Sequence, residues 1–98
     1  MGPGKADLLE AIQQKGSISA AALSMGMSYK RAWDLVNTMN KSFKQAVVAT
    51  SVGGGKGGGA QITEFGLQIL TRYRAIEAKA NLTVQVETKV LMELLLDN

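Results

Sequence analysis

Ninety-eight residues, 46% of them hydrophobic and 19% charged, suffice for one domain with a modest core and argue against a disordered chain. Cysteine and histidine are both absent, and the eight acidic residues are scattered without metal-ligand spacing; disulfides, Cys/His zinc sites, thiol nucleophiles and histidine bases are thereby excluded, and no enzyme, metal or cofactor is expected. The net charge of +3 is unevenly placed, with no acidic residue from Leu35 through Thr63 while Lys41, Lys44 and Lys56 fall there; such a bias suits nucleic acid or an anionic lipid surface, and equally a plain solvated face.

The chain opens with MGPGKADLLEAIQQ, which lacks the apolar core of a signal peptide, and no later stretch is apolar for the length of a membrane span. A cytoplasmic protein without membrane contact is expected, and the glycosylation patterns at Asn40 and Asn81 are read as chance. Leu8, Leu9 and Ile12 stand at helical spacing between Lys5 and Lys15, and Gly16 stops that helix. Ser19 is expected to cap a short second helix, AAALSMG, with Ala22, Leu23 and Met25 facing the core, before Gly26 supplies a turn.

Ser28 caps a third helix running to about Asn40 or Phe43. The 3.6-residue period puts Ala32, Leu35, Val36, Met39 and Phe43 on a core face and Lys30, Asp34, Asn37 and Lys41 opposite. Arg31 and Thr38 fall on one flank; Tyr29, Trp33 and Asn40 fall on the other, at a border where Trp33 is expected to pack. The outward face carries cations and hydrogen-bonding groups of the kind that meet base edges and phosphates. A short helix, a tight turn and a second helix make a helix-turn-helix layout.

Gln45 to Val52 reads as a strand and Gln61 to Thr63 as its returning partner. Between them, Gly53 to Gly59 is glycine apart from Lys56. Two readings stand: a wing that orders against DNA with Lys56 on a phosphate, or a hairpin tip without a role; the preceding helix favours the wing. A nucleotide-binding P-loop does not fit, because Thr50 stands where the first glycine is needed and Gly57 where Ser or Thr is needed. Thr63 then caps a long fourth helix with Phe65, Leu67, Ile69, Leu70, Tyr73 and Ile76 as its apolar positions, and Arg72 and Arg74 as surface cations partly paired with Glu77 and nearby acids. From Leu82 the chain is rich in aliphatics. Val86, Val90, Leu91, Leu94 and Leu95 fit a helical stripe, while Leu82 to Val86 also alternates as a short strand would. So small a domain has little surface on which to bury them, and a second chain is the simplest outlet.

These residues resemble the N-terminal winged-helix domain of the ModE family, bacterial molybdate-responsive transcriptional regulators. The resemblance rests on ISAAALSMGMSYKRAWDLVNTMN, GGGKGGGAQIT and TEFGLQILTRYRAIE, and covers roughly residues 5–78. It implies a winged helix-turn-helix domain with a glycine-rich wing; joined to the residue reading above, the expected fold is mainly α with a small β-hairpin, three helices, the wing and a long fourth helix over 1–80, then the chain's own C-terminal aliphatic helical tail over 81–98. It also implies that Ser28 to Asn40 is the recognition helix, that Ser28, Tyr29, Lys30 and Arg31 stand where bases and phosphates are met, and that dimers bind operators with two-fold related half-sites. Family members continue into a molybdate-binding region that nothing before Asn98 resembles, so a stand-alone DNA-binding domain without direct molybdate binding is expected.

The expected function is that of a sequence-specific, homodimeric regulator on double-stranded DNA, with a palindromic operator. Its contacts would come from Ser19, Ser28, Tyr29, Lys30, Arg31, Asp34, Asn37, Lys41, Lys44 and Lys56, and its dimer contact from Leu82, Val86, Val90, Leu91, Leu94 and Leu95. The competing reading is a winged-helix module given over to pairing with other proteins.

Overall fold

Proline at the first helical position and glycine just past the last one bracket the opening helix, α1 (Pro3–Lys15). Pro3 has no N–H to leave unsatisfied there and its fixed φ already suits a helix, which carries α1 two residues beyond the expected start at Lys5. Gly16 closes it at φ 78°, a left-handed conformation natural to glycine, and donates its N–H to the Ile12 carbonyl. The computed structural model describes residues 1–51 and 58–95. Among these the remaining elements are α2 (Ile18–Ser24), α3 (Tyr29–Ser42), β1 (Val48–Ser51), β2 (Gly59–Ile62) and α4 (Glu64–Met92).

The second helix begins earlier than its sequence suggests. Ser17, not Ser19, is the N-cap, its Oγ accepting the Ala20 N–H at 3.0 Å. Starting at Ile18 turns Ile18, Ala21 and Ala22 inward and leaves Leu23, expected in the core, 83% exposed. Either serine can cap; what decides is that Ile18 and the two alanines fit the space beneath α1 and α3. The turn into α3 is a Schellman motif: the Met27 N–H reaches the Ala22 carbonyl at 3.0 Å, the Gly26 N–H reaches that of Leu23 at 3.2 Å, and Gly26 takes φ 67°.

Ala32, Val36 and Met39 of α3 are buried as expected, while Leu35 and Phe43 are only partly covered and pack at the margin. They join Leu8, Leu9 and Ile12 of α1 and Val47, all essentially without exposure. At roughly 1.5–3 kcal/mol for each large aliphatic side chain taken from water, this small cluster supplies most of the driving force. Asn40 binds the chain as it leaves α3: its Oδ1 accepts the N–H groups of Val47 (2.8 Å) and Val48 (3.1 Å), and its Nδ2 donates to the Val48 carbonyl (3.0 Å). β1 (Val48–Ser51) begins three residues later than the expected Gln45, whereas β2 (Gly59–Ile62) begins two residues before the expected Gln61 and takes in Gly59, which was expected in the loop. They pair antiparallel from Val48 opposite Ile62 to Ser51 opposite Gly59, and the Ala60 N–H reaches back to the Gly16 carbonyl at 2.9 Å, tying the hairpin to the end of α1.

Thr63 caps α4 as expected, accepting the Gly66 N–H at 2.9 Å while its hydroxyl donates to the Ala46 carbonyl at 2.7 Å. Gly66 is buried where α4 crosses Val47; a Cβ there would strike the Val47 carbonyl oxygen and come within 2.9 Å of Ile62 Cγ1. Beyond Glu77 every residue as far as Leu95 is exposed, and the helix continues unbroken through residue 80 to Met92. The protein is therefore elongated, 64 × 30 × 19 Å, with a radius of gyration of 17.7 Å, against about 13 Å for a compact chain of this length.

Candidate nucleic-acid interface

The first turn of α3 carries the strongest local signal. Ser28 Oγ accepts the Arg31 N–H at 3.1 Å, leaving the other N–H groups of the turn pointing outward. Lys30 and Arg31 stand in this turn, both exposed, with no acidic residue beside them there. Cations at the positive end of a helix are locally unfavourable, so the arrangement suits an anion better than water. Asp34 offsets it in part: Lys30 Nζ lies 3.1 Å from its Oδ2, across a pair that is 85% and 53% exposed. Lys30, expected as a DNA contact, is engaged with Asp34 here, though an exposed pair of this kind contributes only about 0.3–0.5 kcal/mol and yields readily to a phosphate.

Around this turn the expected contact residues divide between two hollows. Ser28, Lys30, Arg31 and Asp34 line one shallow depression with Leu35 and Thr38. Ser19 and Tyr29 line the other, a cleft of about 400 Å³ between α2, α3 and the hairpin. Asn37 is half-buried between the two ends of α3. Lys41 lies eleven residues after Lys30, about 16 Å along the helix, and Lys44 follows α3; both are exposed, and neither shares a hollow with the first turn. Lys56 falls outside the described residues.

Two residues that the sequence undervalued occupy the flank facing the hairpin. Trp33, expected to pack, is 45% exposed and outside the core cluster; it walls the cleft with Tyr29. Asn40, on the same flank by period, is spent on the Val47–Val48 backbone and is not available to DNA. The sequence offered no signal for this, because its partners lie seven and eight residues away.

The far side of the body holds its main ion cluster. Arg74 donates from Nη2 to Asp7 Oδ1 (2.6 Å), from Nε to Glu10 Oε1 (2.7 Å) and from Nη1 to Glu77 Oε1 (3.0 Å), joining α4 to α1. The bonds to Asp7, then Glu10 and Glu77, hold the guanidinium proton more tightly than usual. Arg74 is a structural cation, as its expected pairing with Glu77 implied, and Asp7 and Glu10 complete the set. Along the free half of α4, Leu82, Val86 and Val90 form one line, and Leu94 follows in the turn just past the helix end. Val84 and Leu91 continue the line that Gly66, Leu70 and Tyr73 turn toward the body, with Leu95 in the segment that follows the helix. All seven of these aliphatic side chains are more than half exposed.

Comparison with known proteins fits this geometry. No family model matches the sequence. The molybdenum transport protein ModE of Azotobacter vinelandii is 47% identical over 70 residues, covering 71% of this chain and 26% of that protein. The DNA-binding transcriptional dual regulator ModE of Escherichia coli K12 is 41% identical over 71 residues, covering 72% and 27%. The chain thus spans about a quarter of the length of these relatives. Among solved structures, Staphylococcus aureus MepR in complex with DNA superposes with a TM-score of 0.65 at 13% identity, over 96% of this chain and 78% of MepR, a likeness of fold. By sequence and architecture this chain belongs with the ModE-type regulators, and what it shares with them is their N-terminal region, folded as a winged helix-turn-helix domain.

Proposed function

We propose that the chain is a sequence-specific DNA-binding regulator that sets the first turn of α3 into a major groove as a homodimer. The observation that carries this reading is the exposed pair Lys30 and Arg31 at the positive end of α3, on a domain homologous to ModE regulators. Major-groove edges and flanking phosphates supply the acceptors such a turn lacks. Ser28, Asp34 and Asn37 complete the reading face, and the hairpin reaches the neighbouring groove. Lys41 and Lys44 meet phosphates farther along the same strand, and Lys56 is assigned to the wing contact.

The dimer forms through the exposed aliphatics of α4 and the turn after it, Leu82, Val86, Val90, Leu91, Leu94 and Leu95, because apolar surface of this extent is rare on a monomer. A two-fold dimer implies a palindromic operator. These residues bind DNA without sensing molybdate themselves, since they correspond to only the N-terminal region of the molybdenum-linked relatives. Selection of bound sequences from random DNA, followed by titration at two salt concentrations, tests the proposal. A palindromic site, bound more weakly at high salt and equally with or without molybdate, is the expected result; binding that is absent or indifferent to salt overturns it.

A further inference from the structure

We propose that the cleft between α3 and the hairpin is a seat for one sugar-phosphate strand of the duplex, with Trp33 and Tyr29 packing against deoxyribose and the surrounding hydroxyls donating to phosphate. This inference rests on the DNA reading above and goes beyond it by assigning a second, charge-neutral contact site. The cleft is lined by Ser17, Ser19, Tyr29, Trp33, Thr50 and Ser51, with Ile18 and the Gly58–Ala60 backbone as its floor and rim.

The argument begins from duplex geometry. What separates a major groove from the adjacent minor groove is a single sugar-phosphate backbone. A protein that puts α3 in one groove and its hairpin in the next must pass that backbone between them, and among the described residues this cleft lies between those elements. Its chemistry matches the occupant. Among the described residues no acidic side chain lines it, so a phosphate meets no repulsion from them. The hydroxyls of Ser19 and Tyr29 bond no other described residue and are free to donate. Gly58 and Gly59 keep the hairpin rim free of side chains, allowing a backbone to approach closely. Trp33 and Tyr29, 45% and 55% exposed, present flat apolar faces that a deoxyribose ring can cover.

Because no cation lines the cleft among the described residues, its contribution leaves a signature distinct from that of Lys30 or Arg31. Losing a lysine–phosphate contact lowers the salt slope of binding by about one, whereas losing an aromatic or hydroxyl contact lowers affinity and leaves the slope intact. Trp33 is the one tryptophan in the sequence, so its fluorescence reports on this cleft alone.

The test uses the full chain and an unlabelled duplex carrying the selected site. Saturating duplex is expected to shield Trp33 from acrylamide quenching. Trp33→Ala should weaken binding about tenfold with an unchanged salt slope and an unchanged melting temperature, Trp33→Phe should recover part of the loss, and Tyr29→Phe should cost about threefold. Tight binding that leaves Trp33 as open to acrylamide as before, or a Trp33→Ala chain that binds normally, overturns the cleft while the DNA reading stands. Failure of the unaltered chain to bind any duplex removes both.

Discussion

The two halves of α4 obey the same sequence rules and meet opposite fates. In the first half the helix lies across the body. Gly66 sits against Val47, Leu70 is buried, Phe65 packs edge-on to Phe43 with ring centroids 6.3 Å apart, and Arg74 is tied to α1. In the second half an equally aliphatic surface, from Leu82 to Leu95, stands in solvent. Helix propensity is adequate throughout, so what differs is the supply of partners. The body is too small to cover 29 residues of helix, about 43 Å long. The anchored half carries the free half beyond the body, where nothing in the described residues covers it.

The sharpest way to break the anchored half is Gly66→Ala. The added methyl meets a backbone carbonyl rather than a yielding side chain end, so α4 must lift from Val47. We expect a loss of about 3 kcal/mol, read as a fall in denaturant midpoint at constant slope. A variant as stable as the parent would show that the crossing is looser than described. For the free half, Val86→Glu combined with Val90→Glu places charge on one exposed line. Sedimentation is expected to change from two chains to one, with self-association weakened roughly a hundredfold or more and thermal stability of the body retained. An unchanged assembly would assign the dimer contact elsewhere.

Asn40→Ala acts on the anchored half from the side of the body, because Asn40 holds the Val47 backbone on which Gly66 of α4 rests. It leaves the Val47 and Val48 N–H groups without their acceptor at a nearly water-free site, and about 2 kcal/mol of stability should go with it. Hydrogen exchange should quicken first at those two amides. Slow exchange there would mean that water replaces the side chain.

How far the sequence revealed this follows from how local each determinant is. The caps at Ser28 and Thr63, the stop at Gly16 and the buried line Ala32–Val36–Met39 each depend on neighbours within about one turn, and each is legible. Ser17 against Ser19 is a choice between two equal caps, settled by whether Ile18 or Leu23 finds room in a core assembled from distant segments. Asn40 and Gly66 look ordinary because their partners come from the strand-side chain that crosses them. The same holds for Arg74, whose links to Asp7 and Glu10 span 67 and 64 residues. The outward face of α3 is legible from the helical period, but the period alone does not show that its Tyr29 and Trp33 flank looks into a cleft.

The smallest expected effect is Asp34→Asn, and it bears on what exposure means in the two regions. Exposed aliphatics on α4 call for a partner, whereas the exposed Lys30–Asp34 pair is content in water. In the order Lys then Asp toward the C-terminus, near the positive end of α3, the pair gains less than the reverse order would. Removing the carboxylate should therefore change stability by less than about 0.5 kcal/mol. Its effect should appear on DNA instead: Lys30 is released, one negative charge leaves the face, and affinity for an arbitrary duplex should rise two- to threefold, by roughly this same margin. A marked fall in melting temperature would make the pair structural. A drop in binding confined to the selected site would give Asp34 the separate task of accepting a base donor such as a cytosine amino group.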